Sequence, residues 1–463
     1  MRIGVIGAGL GGLAAACELV DGANHVTVLE RRPWAGGKTY SFADRDTGGS
    51  IDNGQHVFMT CTRAYIDFLR KLGTLGLTSR QQRLRVPVFD AGGRRSDLWS
   101  APLPAPLHLM QSFAAYRHLS PAEKARIGRA MAAIMRMSPQ QREEQSGDSF
   151  EAWLRRHGQQ EGEIQRFWDL IVLPTLNCGS QRASAAQALF VFQEGFLKSS
   201  RSGAIGLPAA GLSELHVLPA IRYIERRGGE VRTRAHVERL NVEGGRIAGL
   251  TLATGERLRF DAYVAALPPR GLAAMLPPDA AREAPFDQLA RFETASIVNL
   301  HLWYAEPVAP FDFAAFTGPV LQWIFNRSRI AASQGAHNQA PGPEHLVISL
   351  SDASPYLDRS KERLLRDFLP QLQRLLPRTR ASRLLRFVAI KEPEATFVPA
   401  PGLRRPGPVT PIRNLFLAGA HVATGWPATM ESAVRSGIAA ASALTERAPL
   451  LERLSLVGSG GQI

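Results

Sequence analysis

At 463 residues the chain exceeds one usual hydrophobic core, so two domains are expected. An apolar fraction of 45% with 21% charged residues reads as a soluble globular protein, and no stretch approaches the ~20 consecutive apolar residues of a membrane-spanning helix. The formal net charge of +14 is mostly scattered arginine with no nucleic-acid-binding module, which points away from nucleic acid and leaves an anionic membrane face or no specific partner.

Arg2-Ile3-Gly4-Val5-Ile6 reads as a buried strand running into Gly7-Ala8-Gly9-Leu10-Gly11-Gly12. In a G-x-G-x-x-G turn of this kind Gly7 permits the tight turn, Gly9 lets the backbone approach a pyrophosphate, and Gly12 lets helix and strand pack closely. The helix that follows, roughly Gly11 to Val20, aims its free N–H groups at the phosphates. Asp21-Gly22-Ala23 breaks it, His25-Val26-Thr27-Val28-Leu29 is the next strand, and Glu30 stands at that strand's end. An acid ~20 residues beyond the glycines takes a ribose hydroxyl and disfavours a 2′-phosphate, so NADP is not expected here. Next come Arg31 and the Gly36-Gly37-Lys38 run, where the glycines permit a second close backbone approach and Lys38 or Arg31 is placed to neutralise a diphosphate. Ile51-Asp52-Asn53-Gly54-Gln55-His56 is a polar turn that a plain NAD dehydrogenase has no reason to carry.

Around Pro87 the texture changes, with Pro102, Pro104 and Pro106 close together. Leu107 to Leu119 is nearly apolar throughout and reads as a core helix or as an anchor lying in a membrane interface. Ser120-Pro121-Ala122-Glu123 is a capping box opening a helix with Ile127, Ala130, Met131, Ile134 and Met135 on one face. From Asp148 to Lys198 the pattern is helical and rich in aromatic residues. A helix over Ser213 to Arg226 leads to Val231–Val237, then to tight turns at Glu243–Arg246 and Thr254–Glu256, then to a strand over Asp261 to Leu267. Between 290 and 400, runs such as Ile297–Trp303 and Leu346–Leu350 alternate as strands do. Asn414-Leu415-Phe416-Leu417-Ala418-Gly419 is a late strand entering a loop, a helix follows from about Pro427, and the end from Leu456 is expected to be loose.

The Glu30 to Lys38 run, the Asp52 to His56 turn and the C-terminal strand–loop–helix together resemble the flavin amine oxidase and phytoene desaturase superfamily. Asp52–Val57 and Ala423–Gly437 most resemble its squalene-associated branch, which includes the hydroxysqualene dehydroxylases, and Phe167-Trp168, Leu176-Asn177 and Ala183-Ser184-Ala185 look like the same branch. The resemblance implies an α/β fold, a Rossmann-like FAD-binding domain of the GR2 flavoprotein type with an inserted α+β substrate domain. Residues 1–82, 205–288 and 406–463 would form the FAD domain; 83–204 (helical) and 289–405 (sheet) would form the substrate domain. FAD would be held by Gly7, Gly9, Leu10, Gly11, Gly12, Glu30, Arg31, Gly36, Gly37, Lys38, Gly54, Gln55, Gly419, Ala420, Thr429 and Met430, with the backbone of Val237 against adenine. One position departs: the family places an acid after Leu-Phe-Leu-Ala-Gly, and here that position is Ala420, followed by His421.

The chemistry so implied is reductive dehydroxylation of a long isoprenoid, hydroxysqualene to squalene, with hydride from reduced flavin and a general acid for the leaving oxygen. His56, in the turn beside the flavin, is the first candidate acid and Glu431 the second. Trp168, Phe192, Trp303, Trp323, Phe325 and Trp426 are candidates to face a carbocation. The rivals are a carotenoid-type desaturase, an amine oxidase-like flavoenzyme and an FAD-bearing carrier of polyprenyl lipid. No metal site is expected from the spacing of Cys17, Cys61 and Cys178, and an odd cysteine count with a strand beginning at residue 2 points to the cytoplasm, with peripheral contact to the inner membrane for a lipid substrate. The electron donor is not legible.

Overall fold

The structure is a computed structural model that describes residues 1–44, 49–318, 320–333 and 342–458, with side chains described as far as residue 447. Its first sheet has five parallel strands in the order Glu230–Arg232, His25–Leu29, Arg2–Ile6, Ala262–Ala265, Leu415–Leu417. Ile3, Val5, Val26, Val28 and Val264 are all fully buried, as a parallel sheet covered on both faces requires. Strands from the beginning, middle and end of the chain therefore lie edge to edge.

One face of this sheet is covered by the helix Leu10–Asp21, whose Leu13, Ala14, Ala15, Ala16 and Cys17 have no exposed surface. The helix is enclosed because a second helix, Met430–Gly458, lies against its outer side. Small residues set that approach. A Cβ on Gly437 would lie 2.3 Å from the Gly11 carbonyl oxygen and 2.8 Å from the Ala15 nitrogen. A Cβ on Gly11 would lie 3.0 Å from the Gly419 nitrogen and 3.1 Å from the Ala433 oxygen. On the other face an antiparallel hairpin, Val237–Glu243 with Arg246–Leu252, buries Val237, Leu240 and Leu250 against Ile6, Leu29 and Tyr263. Asn414 ties the last strand to this hairpin: its Oδ1 accepts the Ile247 N–H at 2.8 Å and its Nδ2 donates to the Ile247 carbonyl at 3.1 Å.

The second sheet has seven strands in the order Leu384–Phe397, Thr294–Tyr304, Glu344–Ser351, Trp323–Asn326, Phe313–Phe316, Arg85–Phe89, Arg95–Trp99. Its outer face packs Val298, Leu300 and Leu302 against Leu364, Phe368 and Leu372 of the helix Lys361–Leu375. The opposite face carries Asn299, His301 and Trp303, and Asn299 meets the turn at Gly54.

A helical layer fills residues 107–197. The capping box at Ser120 and Glu123 opens Pro121–Arg136 as expected, and Ile127, Ala130 and Ile134 are buried, but Met135 is 48% exposed at the edge of the stripe. Trp168 and Phe192 lie fully buried in this layer with ring centroids 4.9 Å apart, so they are core residues and face no substrate. Leu107–Leu119 is not one helix: a turn over Leu107–Leu109 and a short helix Met110–Ala115 leave Leu107 and Met110 48% and 60% exposed. Among the described residues no helix is long and apolar enough to cross a membrane. The C-terminal helix begins at Met430, not Pro427, because Thr429 caps it through the Ser432 N–H at 3.4 Å. It runs to Gly458, so Leu456–Gly458 are helical, and the rest of the expected loose end lies outside the described residues.

Replacing Gly437 by Val should force the two helices apart and destabilise the chain by about 1–3 kcal/mol or more. The expected outcome is a lower urea midpoint than wild type; an unchanged midpoint would contradict this packing.

Candidate active site

The glycine turn sits where strands end, the place at which open α/β sheets bind ligands. Gly7 has φ +102°, and a Cβ there would lie 2.5 Å from the Ala266 carbonyl oxygen; one on Gly12 would lie 2.0 Å from the Gly7 oxygen. These two glycines are demanded by the backbone itself. Gly9 differs, since a Cβ there would meet nothing nearer than the Gly37 Cα at 4.0 Å. Its space is open to a ligand, and the second glycine pair forms its other wall: Gly36 N–H donates to the Ala8 carbonyl at 2.8 Å. Glu30, 7% exposed, accepts the Ala8 N–H at 3.0 Å and the Arg32 N–H at 2.9 Å, one on each oxygen. Each oxygen keeps a lone pair for a ribose hydroxyl. Val237 lies buried beside Ile6 and Leu29, past the ends of the strands that carry the glycines and Glu30.

Two expected cations stand elsewhere. Arg31 is exposed, and it is Arg32 that folds over the turn, donating to the Gly37 carbonyl at 3.2 Å. The Lys38 ammonium is held by the Glu394 carbonyl and lies 3.8 Å from the Glu392 carboxylate, so it bridges to the seven-stranded sheet.

The polar turn is pinned from both sides. Asn53 Nδ2 donates to the Lys38 carbonyl at 2.9 Å, and Asp52 Oδ1 accepts the Ser41 hydroxyl at 2.7 Å and the Leu212 N–H at 2.9 Å. A Cβ on Gly54 would lie 2.6 Å from Asn299 Nδ2, so the turn rests directly on the second sheet. His56 Nδ1 lies 3.0 Å from the Gly54 carbonyl, which can only accept, so this nitrogen carries the hydrogen. Burial holds the ring's pKa below its ordinary value. Neutral and protonated at Nδ1, His56 presents Nε2 as an acceptor, the opposite of a general acid.

Glu431 is not the acid either. Its side chain has no exposed surface, and its oxygens accept the Ala64 N–H at 3.1 Å, the Tyr65 N–H at 2.8 Å and Arg435 Nε at 2.7 Å. It fastens the helix Arg63–Lys71 at its N-terminal end to the C-terminal helix.

The C-terminal loop wraps a residue the sequence reading passed over. Arg405 donates from Nη2 to the Ala420 carbonyl at 2.7 Å and Ser432 Oγ at 2.9 Å, and from Nε to the His421 carbonyl at 3.3 Å. Gly419, at φ +121°, gives its N–H to Ser436 Oγ at 2.7 Å. Thr429 and Met430 open the helix beside this loop.

Between the turn and the second sheet lies a cavity of about 570 Å³, lined by Asp52, Gln55, His301, Arg327, Ser328 and His345 among others. His301 Nδ1 and His345 Nε2 are 3.0 Å apart, Trp303 stacks on His345 at 4.2 Å, and the Arg386 guanidinium lies 4.9 Å over Trp303. Burial, with Arg327 and Arg386 nearby, holds both histidines well below their ordinary pKa. Gln55 Oε1, Asn299 Oδ1 and His301 Nε2 are buried with no hydrogen-bond partner. Of the aromatic candidates only Trp303 is placed at this cavity's histidines. Phe325 is core at 3% exposure beside Trp323, and Trp426 packs edge-on against Phe190 at 5.1 Å. Asn299 and His301 had a legible signal in the alternating run Ile297–Trp303, read there only as a strand.

Residues 10–445 match the family model described as flavin containing amine oxidoreductase. The chain belongs to that family. It is an FAD-dependent oxidoreductase of the amine oxidase and desaturase superfamily. It is 29% identical to the hydroxysqualene dehydroxylase of Rhodopseudomonas palustris, over 94% of this chain and 96% of that one. It is 27% identical to the 15-cis-phytoene desaturase of Synechococcus elongatus, over 98% of each. An oxidoreductase from Methanosarcina mazei has the same fold, with TM-score 0.72 and 18% identity over 96% of this chain and 100% of that one. The resemblance read from the terminal motifs, the α/β flavoprotein fold and the cofactor are thereby established.

Removing Glu431's charge weakens its bonds to two helix N–H groups and to the part-exposed Arg435, and a hydrogen bond to a charged group is worth about 1.5–3 kcal/mol. Glu431→Gln should lower the urea midpoint while bound flavin retains its absorption spectrum; an unchanged midpoint would contradict the anchoring role. A second outcome concerns acid. His216 and His421 are pushed down to about 3 from 6.5 by burial, with His56 near the first and Arg405 near the second. Below pH 6.5 the unfolded chain binds protons that the folded chain refuses, so stability falls as pH drops from 6.5 toward 3, by about 1.4 kcal/mol per pH unit for each such ring. Urea midpoints across that range should decline steadily, and a flat profile would contradict it.

Proposed function

We propose that this enzyme removes the hydroxyl group of a long isoprenoid alcohol, converting hydroxysqualene to squalene. The observation that carries this reading is the polar inner face of the substrate-domain sheet. Gln55, Asn299 and His301 each bury an atom without a partner beside the polar turn. A hydrocarbon such as phytoene offers those atoms nothing, and each buried polar group left unpaired costs about 1–3 kcal/mol. An alcohol both donates and accepts. The likeness to hydroxysqualene dehydroxylases along nearly the whole chain supports the same substrate class.

FAD, when bound, supplies hydride chemistry. The residues' part is to hold and orient. Gly7, Gly9, Leu10, Gly11 and Gly12, with Gly36 and Gly37, cradle the diphosphate. Glu30 takes the ribose and the Val237 backbone meets adenine. Gly54, Gln55, Gly419, Ala420, Thr429 and Met430 would hold the ring. On this reading residues 1–82, 205–288 and 406–463 form the cofactor domain, and 83–204 with 289–405 form the substrate domain. The His345–His301 pair leads inward from the cavity: with both rings neutral, His345 Nε2–H donates to His301 Nδ1 across the 3.0 Å contact, so His301 carries its hydrogen on Nε2 and offers it to the substrate hydroxyl. The exposed Leu103, Leu107 and Met110 are the proposed contact with a lipid surface.

Protein reduced without oxygen should be reoxidised by hydroxysqualene, with squalene appearing, and not by phytoene. No reoxidation by the alcohol, or bleaching of the oxidised protein by phytoene, would overturn the reading. Losing one hydrogen bond of about 1.4 kcal/mol is tenfold, so Asn299→Leu should lower kcat/KM for the alcohol by about that factor. An unchanged kcat/KM would remove Asn299 from substrate binding.

A further inference from the structure

Arg405 is an arginine of the site that pairs with no acid among the described residues. Arg327 lies 3.4 Å from Asp52, Arg386 grips Asp44 and Arg435 grips Glu431. Around Arg405 the acceptors are all uncharged: the carbonyls of Ala420, His421, Val422 and Trp426 and the hydroxyl of Ser432. Among the described residues no carboxylate pairs with it. Its guanidinium also lies 5.5 Å from the centre of the Phe397 ring. Burial pushes its pKa down to about 10, which leaves it charged at neutral pH. His421 beside it is neutral and does not offset it.

The location is telling. The loop that Arg405 gathers begins at Ala420, where the family sequence pattern has an acid. It ends at Ser432, in the first turn of the helix that opens at Met430. Gly419, the residue before the loop, touches the Gly11 backbone of the N-terminal turn. A buried charge that lacks a partner is costly unless something of opposite sign arrives.

We propose that Arg405 is the positioning residue of the 420–432 loop, fixing it and setting a permanent positive charge behind it that favours negative charge on the flavin ring. This rests on the ring edge lying at the helix opening of Thr429 and Met430. The consequence is electrostatic. Ionisation of the flavin N3–H becomes easier in the protein than in water, and two-electron reduction to the anionic form becomes more favourable.

The test uses the FAD-loaded full chain as wild type, Arg405→Met and Arg405→Lys. Absorbance titration of wild type should show the N3–H ionising at a lower pH than in free FAD, by at least tenfold in the acid constant. Arg405→Met should lose that shift, and its midpoint potential should fall by about 30 mV for each tenfold loss of preference for the reduced form. Arg405→Lys should keep the shift, because it keeps the charge, while binding FAD more weakly, because it loses the fork that gathers the loop. A wild-type N3–H no more acidic than that of free FAD would overturn the proposal, whether or not the Met variant folds. So would a folded Met variant with unchanged potential and titration. Wild-type protein that takes up no FAD at all would instead overturn the cofactor reading.

Discussion

Everything in the site depends on two missing side chains. Gly11 and Gly437 let the first helix and the last lie against each other at backbone distance, and Gly11 also admits the loop at Gly419. No attractive force of comparable specificity is needed there. The apolar cover supplied by Ala14, Ala15, Cys17 and Val434 is generic burial, whereas the register is steric. Once the register is set, the turn that would hold a diphosphate lies backbone to backbone with the loop that leads into the last helix. Strand pairing reinforces it, since Leu415–Leu417 is edge to edge with Ala262–Ala265, which in turn pairs with Arg2–Ile6.

The second sheet turns an unusual face toward the polar turn. Alternation along Thr294–Tyr304 separates apolar from polar residues, but neither set meets water. Val298 and Leu300 are fully buried on one side; Asn299 and His301 are 2% and 1% exposed on the other. A buried polar face is costly to build, and its cost is offset when a ligand with matching donors and acceptors occupies it. Charge follows the same logic at the opposite wall, where Arg405 stands without an acid behind a loop made of carbonyls. Both walls are incomplete as protein alone, one in hydrogen bonds and one in charge.

The cofactor half of the molecule was legible because its constraints are local. Arg2–Ile6, His25–Leu29, the glycine turn and Glu30 all lie where the sequence pattern put them, since buried strands and positive φ leave few options. The site's chemistry was less legible because its partners are distant. The pattern around Glu431 looked like a residue near a flavin; only the fold shows Ala64 and Tyr65 N–H groups occupying it from the far end of the chain. His56 titrates in the useful range as a free side chain, and the bond to Gly54 that fixes its tautomer has no sequence signature. Trp168 and Phe192 looked available to a cation, but helical packing turned them inward. Arg405 sits in an irregular Pro-rich stretch with no periodicity to mark it, and its five acceptors are backbone and hydroxyl groups that any sequence supplies.

The central claim is that the two ends of the chain grip one cofactor. A crystal structure of the FAD-loaded chain tests it most directly. The account predicts a single molecule running from Glu30 and Val237, past Gly9, to the opening of the C-terminal helix at Met430. Cofactor density that touched the N-terminal segment alone, with Gly419 to Met430 turned away from it, would contradict the account.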